Sequence, residues 1–146
     1  YDPKRTDEHK VLMQRPFASE TWPEILKGSY LTPISALYVR NHAPVPTNLD
    51  FGTDELTLSQ KAMEGDESVT LNIPLKDIFK QFENHDVTAA LQCAGNRAGD
   101  YIEATGDSGF VGTPFANIQI GMVGNILWSG VLLKDVLQKL FPSKFL

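Results

Sequence analysis

A lone cysteine at the end of an apolar run sets the frame for this chain. Residues 87–93 read V-T-A-A-L-Q-C, and residues 94–97 continue as the small-residue loop A-G-N-R. An inert structural thiol usually lies inside an apolar run. Here the chain turns polar and glycine-containing directly after Cys93. The run has strand character, and period-two spacing puts Val87, Ala89, Leu91 and Cys93 on one face and Thr88, Ala90 and Gln92 on the other. The alanines imply close neighbours on both sides. Gly95 and Asn96 tolerate unusual dihedrals, so the backbone there is expected to approach another group closely. A single cysteine makes no intramolecular disulfide. Cys93 is therefore expected to present its sulfur at the mouth of a strand.

The 146 residues suffice for one domain with a core. Apolar residues make up 42% and charged residues 21%, an ordinary globular balance. The net charge of −5 with no basic block argues against a nucleic-acid partner. No apolar run reaches the roughly 18 residues of a membrane span. The chain starts at Tyr1 rather than Met and stops on Phe145-Leu146. Both ends suggest a piece of a longer protein, incomplete at its C-terminus.

Residues 1–22 are polar and weakly periodic, and predict an extended arm on the domain surface anchored by Phe17 and Trp22. Residues 23–27 predict a short helix with Pro23 in its first turn and Gly28 as its stop. Residues 36–40 (A-L-Y-V-R) predict a strand that gives way at Asn41-His42 to a loop held extended by Pro44 and Pro46. Residues 55–60 and 68–73 alternate and predict a hairpin around a polar turn at 61–67. Pro74 opens a predicted helix over 75–82, and residues 84–86 read as a turn. Residues 98–115, rich in Gly, Asp, Ser and Thr, predict a long loop. A strand over 117–123, a turn at Gly124-Asn125 and a helix over 131–141 with Ser129 as its N-cap complete the reading.

The residues leave two kinds of chemistry open for Cys93, beside the plain alternative of an inert buried thiol. It is a nucleophile activated by His42, or a thiolate ligand of a metal whose other ligands come from a cofactor. The three histidines His9, His42 and His85 are scattered, and no zinc-type spacing occurs. Arg40 and Arg97 suit the second scheme, because guanidinium groups bind oxyanions through paired hydrogen bonds and favour a thiolate. Arg40, Asn41 and His42 stand where a strand meets a rigid loop, a common place for a binding rim, although a satisfied turn would read the same.

Four blocks then occur in order. They are R-P-F-A-S-E (15–20), Y-V-R-N-H-A-P-V-P (38–46), L-Q-C-A-G-N-R (91–97) and G-M-V-G-N-I-L-W-S-G-V-L-L-K-D-V-L (121–137). Together they closely resemble the molybdenum-cofactor domain of eukaryotic sulfite oxidases and assimilatory nitrate reductases, over about residues 2 to 141. The resemblance implies an α+β chain with that family's mixed α/β molybdopterin-binding fold, with residues 1–146 forming part of one cofactor domain. It implies Cys93 as the protein thiolate on molybdenum, and Tyr38, Val39, Arg40, Asn41 and His42 wrapped around the pterin. Arg40 and Arg97 would carry positive charge to an oxyanion pocket, and Arg40, Cys93 and Arg97 would form the catalytic set. The implied reaction is sulfite to sulfate, with molybdenum cycling between Mo(VI) and Mo(IV). Nitrate reduction and a non-catalytic cofactor-binding fragment are the alternatives. A haem-containing electron partner, homodimerisation through a domain outside this chain, and a mitochondrial intermembrane location for an animal-type enzyme follow from the same resemblance. The chain departs from the family at Ala98, where a second arginine is common, and in a longer stretch between Cys93 and Gly121. No tryptophan stands shortly before Gly121, where Ile118 or a neighbour takes its place.

Overall fold

The computed structural model describes residue 4 and residues 6–60, 69–106 and 117–141. The chain divides into two compact units, Tyr1–Thr47 with Thr88–Trp128, and Asn48–Val87 with Ser129–Leu146.

In the first unit, the segment expected to be a surface arm builds the most buried strand. Strand β1 (His9–Gln14) pairs antiparallel with β2 (Phe17–Thr21), with His9 opposite Thr21, Gln14 opposite Phe17 and a register shift between Val11 and Met13. β2 lies between β1 and β3 (Val39–Arg40), with Ala18 opposite Arg40 and Ser19 opposite Val39. All five residues of β2 are buried. The polar look of the segment hid this. Glu20 is paired with Lys10 inside the unit, and small and β-branched side chains fill the space between two neighbouring strands. Phe17 is fully buried and so anchors the unit, while Trp22 is half-exposed and donates its indole N–H to the Asp7 carbonyl. Helix α1 (Pro23–Gly28) starts at the expected proline. The strand expected over 36–40 shrinks to two residues. Ala36 instead closes a turn on Pro33, and its carbonyl accepts from the buried Thr21 hydroxyl.

Strand β6 (Asn84–Gln92) includes His85 and Asp86, which had read as a turn. It forms a two-stranded sheet with β7 (Val123–Val131). Ala89 and Ala90 were expected between close neighbours on both sides; residues 86–92 are instead exposed on both faces, and the Ala89 carbonyl accepts from the Trp128 indole N–H at 3.2 Å. Residues 98–105 are a helix rather than a loop, α3 (Ala98–Thr105), closed by Gly106 in the left-handed region at φ 65°. The remainder of that expected loop, residues 107–115, lies outside the described residues. Residues 117–122 are not a strand; pairing starts at Val123 and runs through Gly124 and Asn125, where a turn was expected.

In the second unit, the alternating runs form the expected hairpin. Strand β4 (Glu55–Gln60) pairs antiparallel with β5 (Val69–Pro74), with Leu56 opposite Ile73 and Leu58 opposite Leu71. Thr57 bonds Asn72 across the strands at 2.9 Å. The turn at 61–67 lies outside the described residues. Helix α2 (Leu75–Gln81) follows Pro74 and buries Ile78. Phe79 meets Phe51 with ring centres 5.3 Å apart. Helix α4 (Leu133–Leu140) buries Val136. Ser129 does not cap it, because Ser129 belongs to β7 and Leu132 holds the cap position. Lys139 reaches back to Gln81 and lies over the Phe82 ring. Helices with small antiparallel sheets make the chain α+β.

Candidate active site

Cys93 is the first residue after β6. Its N–H donates to the Met122 carbonyl at 3.0 Å, and its own carbonyl accepts from Asn96 N–H at 3.0 Å. The Asn96 side chain accepts from Met122 N–H at 3.1 Å, so the motif's asparagine ties the loop to the opposite segment. Arg97 N–H and Gly99 N–H then donate to the carbonyls of Gln119 and Ile118 at 2.6 and 2.8 Å. The whole loop from Cys93 to Gly99 is thus seated on residues 118–122. This use of the carbonyls explains why residues 117–122 form no strand.

The expected dihedral freedom of Gly95 and Asn96 is not what the loop uses. Arg97 takes the left-handed conformation, at φ 68°, and begins α3 from it. A Cβ on Gly95 would make ordinary contacts, 3.6 Å from Ile118 and 3.8 Å from the Cys93 sulfur. The glycine that the geometry requires is Gly121. A Cβ there would stand 2.3 Å from the Thr21 carbonyl oxygen and 2.7 Å from Glu20 Cβ.

Cys93 is half-buried, a free thiol packed against Ala98, Ile118 and Met122, which form a buried apolar cluster. Tyr38 and Leu12 pack on the same cluster. Sequence blocks far apart in the chain therefore meet at the sulfur. Burial, and after it the negative charge on Cys93, pushes the Tyr38 phenol above its ordinary value. Ala98, in place of the second arginine common in the resembling family, supplies part of the apolar wall.

Val39 and Arg40 are β3, half-buried beside β2. The Arg40 guanidinium donates to the Asn41 carbonyl. Asn41 N–H donates to the Phe17 carbonyl at 3.2 Å, while its buried Nδ2 has no hydrogen-bond partner. His42 is exposed, and Tyr38 packs on the same apolar cluster as Cys93. Arg97 is two-thirds exposed and paired through Nε with Asp100 at 2.8 Å. Tyr38 and Cys93 thus share one apolar cluster, and Arg97 is paired with Asp100. Among the described residues, no three His, Cys, Asp or Glu side chains assemble a metal set.

Two residues that sequence reasoning passed over, Glu20 and Gln119, help hold the loop's seat. Glu20 belonged to the R-P-F-A-S-E block, which was its only signal.

Residues 42–144 match the oxidoreductase molybdopterin binding domain family. Over 136 residues, 93% of this chain, the sequence is 36% identical to the mitochondrial sulfite oxidase of Rattus norvegicus and covers 23% of that protein. It is 33% identical over 137 residues to the sulfite oxidase of Arabidopsis thaliana, covering 94% of this chain and 32% of that protein. The NADPH nitrate reductase of Pichia angusta is 35% identical over 133 residues, covering 88% of this chain and 14% of that protein. The chain spans less than a third of the length of each.

Proposed function

This chain belongs to the oxidoreductase molybdopterin binding domain family, and from that premise we propose that it carries the protein thiolate of a sulfite-oxidising molybdenum site. The observation that supports this best is the meeting of Tyr38 and Cys93 on one apolar cluster. The residues present fit the cofactor. Cys93 offers a soft sulfur with one dry wall, as a thiolate-bound molybdenum needs. The buried Asn41 Nδ2 lacks an acceptor, and a pterin rich in acceptors would supply one. Left unmet, such a donor costs about 1–3 kcal/mol. Tyr38, Val39, Arg40 and His42 would line the pterin beside it.

When bound, the cofactor supplies two-electron oxygen-atom transfer. Sulfite gains one oxygen, ultimately from water, and releases two electrons and two protons as it becomes sulfate. The chain's own residues bind and orient. Arg40 and Arg97 would hold the sulfite oxyanion, whose charge would otherwise be costly to place in a half-dry pocket. Arg97 would exchange its bond to Asp100 for the substrate. Ala98, Ile118 and Met122 keep water from one side of the sulfur. The electrons would leave to a haem partner, and homodimerisation would come from other parts of the protein. The rat relative is mitochondrial by name, and the same compartment is proposed here. No helix among the described residues is long and apolar enough to cross a membrane.

A second reading, nitrate reduction, is favoured by the nitrate reductase of Pichia angusta, whose identity to this chain equals that of the sulfite oxidases to within a few per cent. The test uses the whole protein that carries this chain, made in a host that synthesises the cofactor. Sulfite oxidation with about one molybdenum per chain is expected, and Cys93→Ser should lose both the metal and the activity. Nitrate reduction without sulfite oxidation would select the second reading. Molybdenum held equally well by Cys93→Ser would refute the thiolate assignment.

A further inference from the structure

One buried carboxylate has no part in the scheme above. Glu20, in β2, is 1% exposed. Burying a carboxylate is costly unless its oxygens are met by donors. Here both are met. Oε1 accepts from Gln119 N–H at 2.6 Å and Gly121 N–H at 3.1 Å. Oε2 accepts from Lys10 Nζ at 3.0 Å. Lys10 Nζ also donates to the Gln119 side-chain oxygen at 2.6 Å. Thr21 N–H completes the seam by donating to the Gly121 carbonyl at 2.9 Å.

All these bonds converge on residues 119–121. The same stretch, residues 118–122, gives the carbonyls of Ile118, Gln119 and Met122 to the Cys93 loop, accepting from Gly99, Arg97 and Cys93 N–H. A strand in this position would satisfy its N–H groups from a neighbouring strand. Residues 117–122 have no such ladder, and Glu20 takes its place. One carboxylate oxygen serves two backbone donors, and the absence of a side chain at Gly121 lets the hairpin come close enough.

We infer that Glu20 is a positioning residue for Cys93. The Lys10–Glu20 pair fixes residues 119–121 from one side, and the carbonyls of Gln119 and its neighbours Ile118 and Met122 seat the Cys93 loop from the other. The role in catalysis rests on Cys93 being the molybdenum ligand; the placement of the loop does not. Without the carboxylate, two buried N–H groups lose their acceptor, and the segment must turn to find others.

The experiment uses the whole protein carrying this chain, purified with and without cofactor. In the cofactor-free form, alkylation of Cys93 by iodoacetamide is followed by mass; in the loaded form, molybdenum per chain is measured after dialysis. Glu20→Ala should raise the alkylation rate about tenfold or more and lower the retained molybdenum. Glu20→Gln keeps an oxygen for the two N–H groups and should restore a rate within about threefold of the parent. Lys10→Met, which leaves Glu20 in place, should give an intermediate rate and serves if Glu20→Ala does not fold. Ile126→Ala, a core change in β7 with no bond to the loop, should lower stability and leave Cys93 alkylation as it was. An alkylation rate unchanged by both Glu20→Ala and Lys10→Met would overturn the inference. So would an increase in Ile126→Ala equal to that in Glu20→Ala. Molybdenum retained by Cys93→Ser would sink the ligand reading alone, because the alkylation rates still decide the placement of the loop.

Discussion

Arg97 occupies a backbone conformation that suits glycine or asparagine. Its φ of 68° costs a long side chain roughly 1–2 kcal/mol. Such a cost is characteristic of positions where the side chain is needed. Arg97→Gly is therefore expected to leave stability unchanged or raise it by up to about 1 kcal/mol, while KM for sulfite rises about tenfold or more. Denaturant unfolding and steady-state kinetics on the whole protein check the two halves separately. Tyr38 gives a pH prediction. Below the ordinary phenol value of about 10, folded and unfolded chains both keep the proton. Between that value and the raised folded one, only the unfolded chain ionises, so stability falls as pH climbs through that window. Tyr38→Phe should remove this loss from a series of unfolding curves. Cys93→Ser should lower the phenol value only partly, because burial is its larger cause. At this scale the sequence was informative where the signal is local. The turn from apolar to polar after Cys93 is written in consecutive residues. Glu20 gave no comparable sign, because its two backbone donors lie 99 and 101 positions away.

The same division holds for the elements. The β4–β5 hairpin and α2 were legible because alternation, a proline and helical spacing specify them within a few residues. Helix α3 was not. Eight helical residues sat in a window whose Gly, Asp, Ser and Thr content outweighed them, and its start depends on Arg97 being held by Gln119. β2 read as a surface arm because the side chains of Glu20 and Thr21 find their partners only in the folded unit. Residues 117–122 carry a strand's pattern yet spend their hydrogen bonds on a loop and a carboxylate. Two glycines of this region separate by what crowds them. At Gly121 a Cβ would meet backbone, 2.3 Å from the Thr21 oxygen, whereas at Gly124 it would meet the end of Leu37, at 2.5 Å. A leucine methyl can swing aside and a strand cannot. Gly121→Ala should thus cost about 3 kcal/mol or more, and Gly124→Ala about 1–2 kcal/mol. Urea midpoints of the two variants give the ranking, and a larger loss at Gly124 would contradict it.

At the scale of the molecule, the buried side chains are unevenly shared. The described core of the first unit includes Phe17, Ala36, Ile118, Met122 and Ile126, whereas that of the second is Ile78 and Val136. Amides of β2 are expected to exchange with solvent at least tenfold more slowly than those of β4 and β5. Hydrogen exchange read by mass checks this, and equal protection would contradict it. The family was legible from four short blocks, and the α+β class came with that resemblance. Which of the candidate site residues meet is decided by long-range contacts that the sequence does not spell out. The Glu20 seam carries a last consequence, for the order of events during synthesis. The hairpin leaves the ribosome first and Cys93 follows, but the seat of the cysteine includes residues 118–122. A nascent chain that ends before Gly121 holds an unfinished socket. Contacts spanning some hundred residues also close slowly. The thiol thus spends an interval made but not yet placed, and the cofactor has to arrive after it.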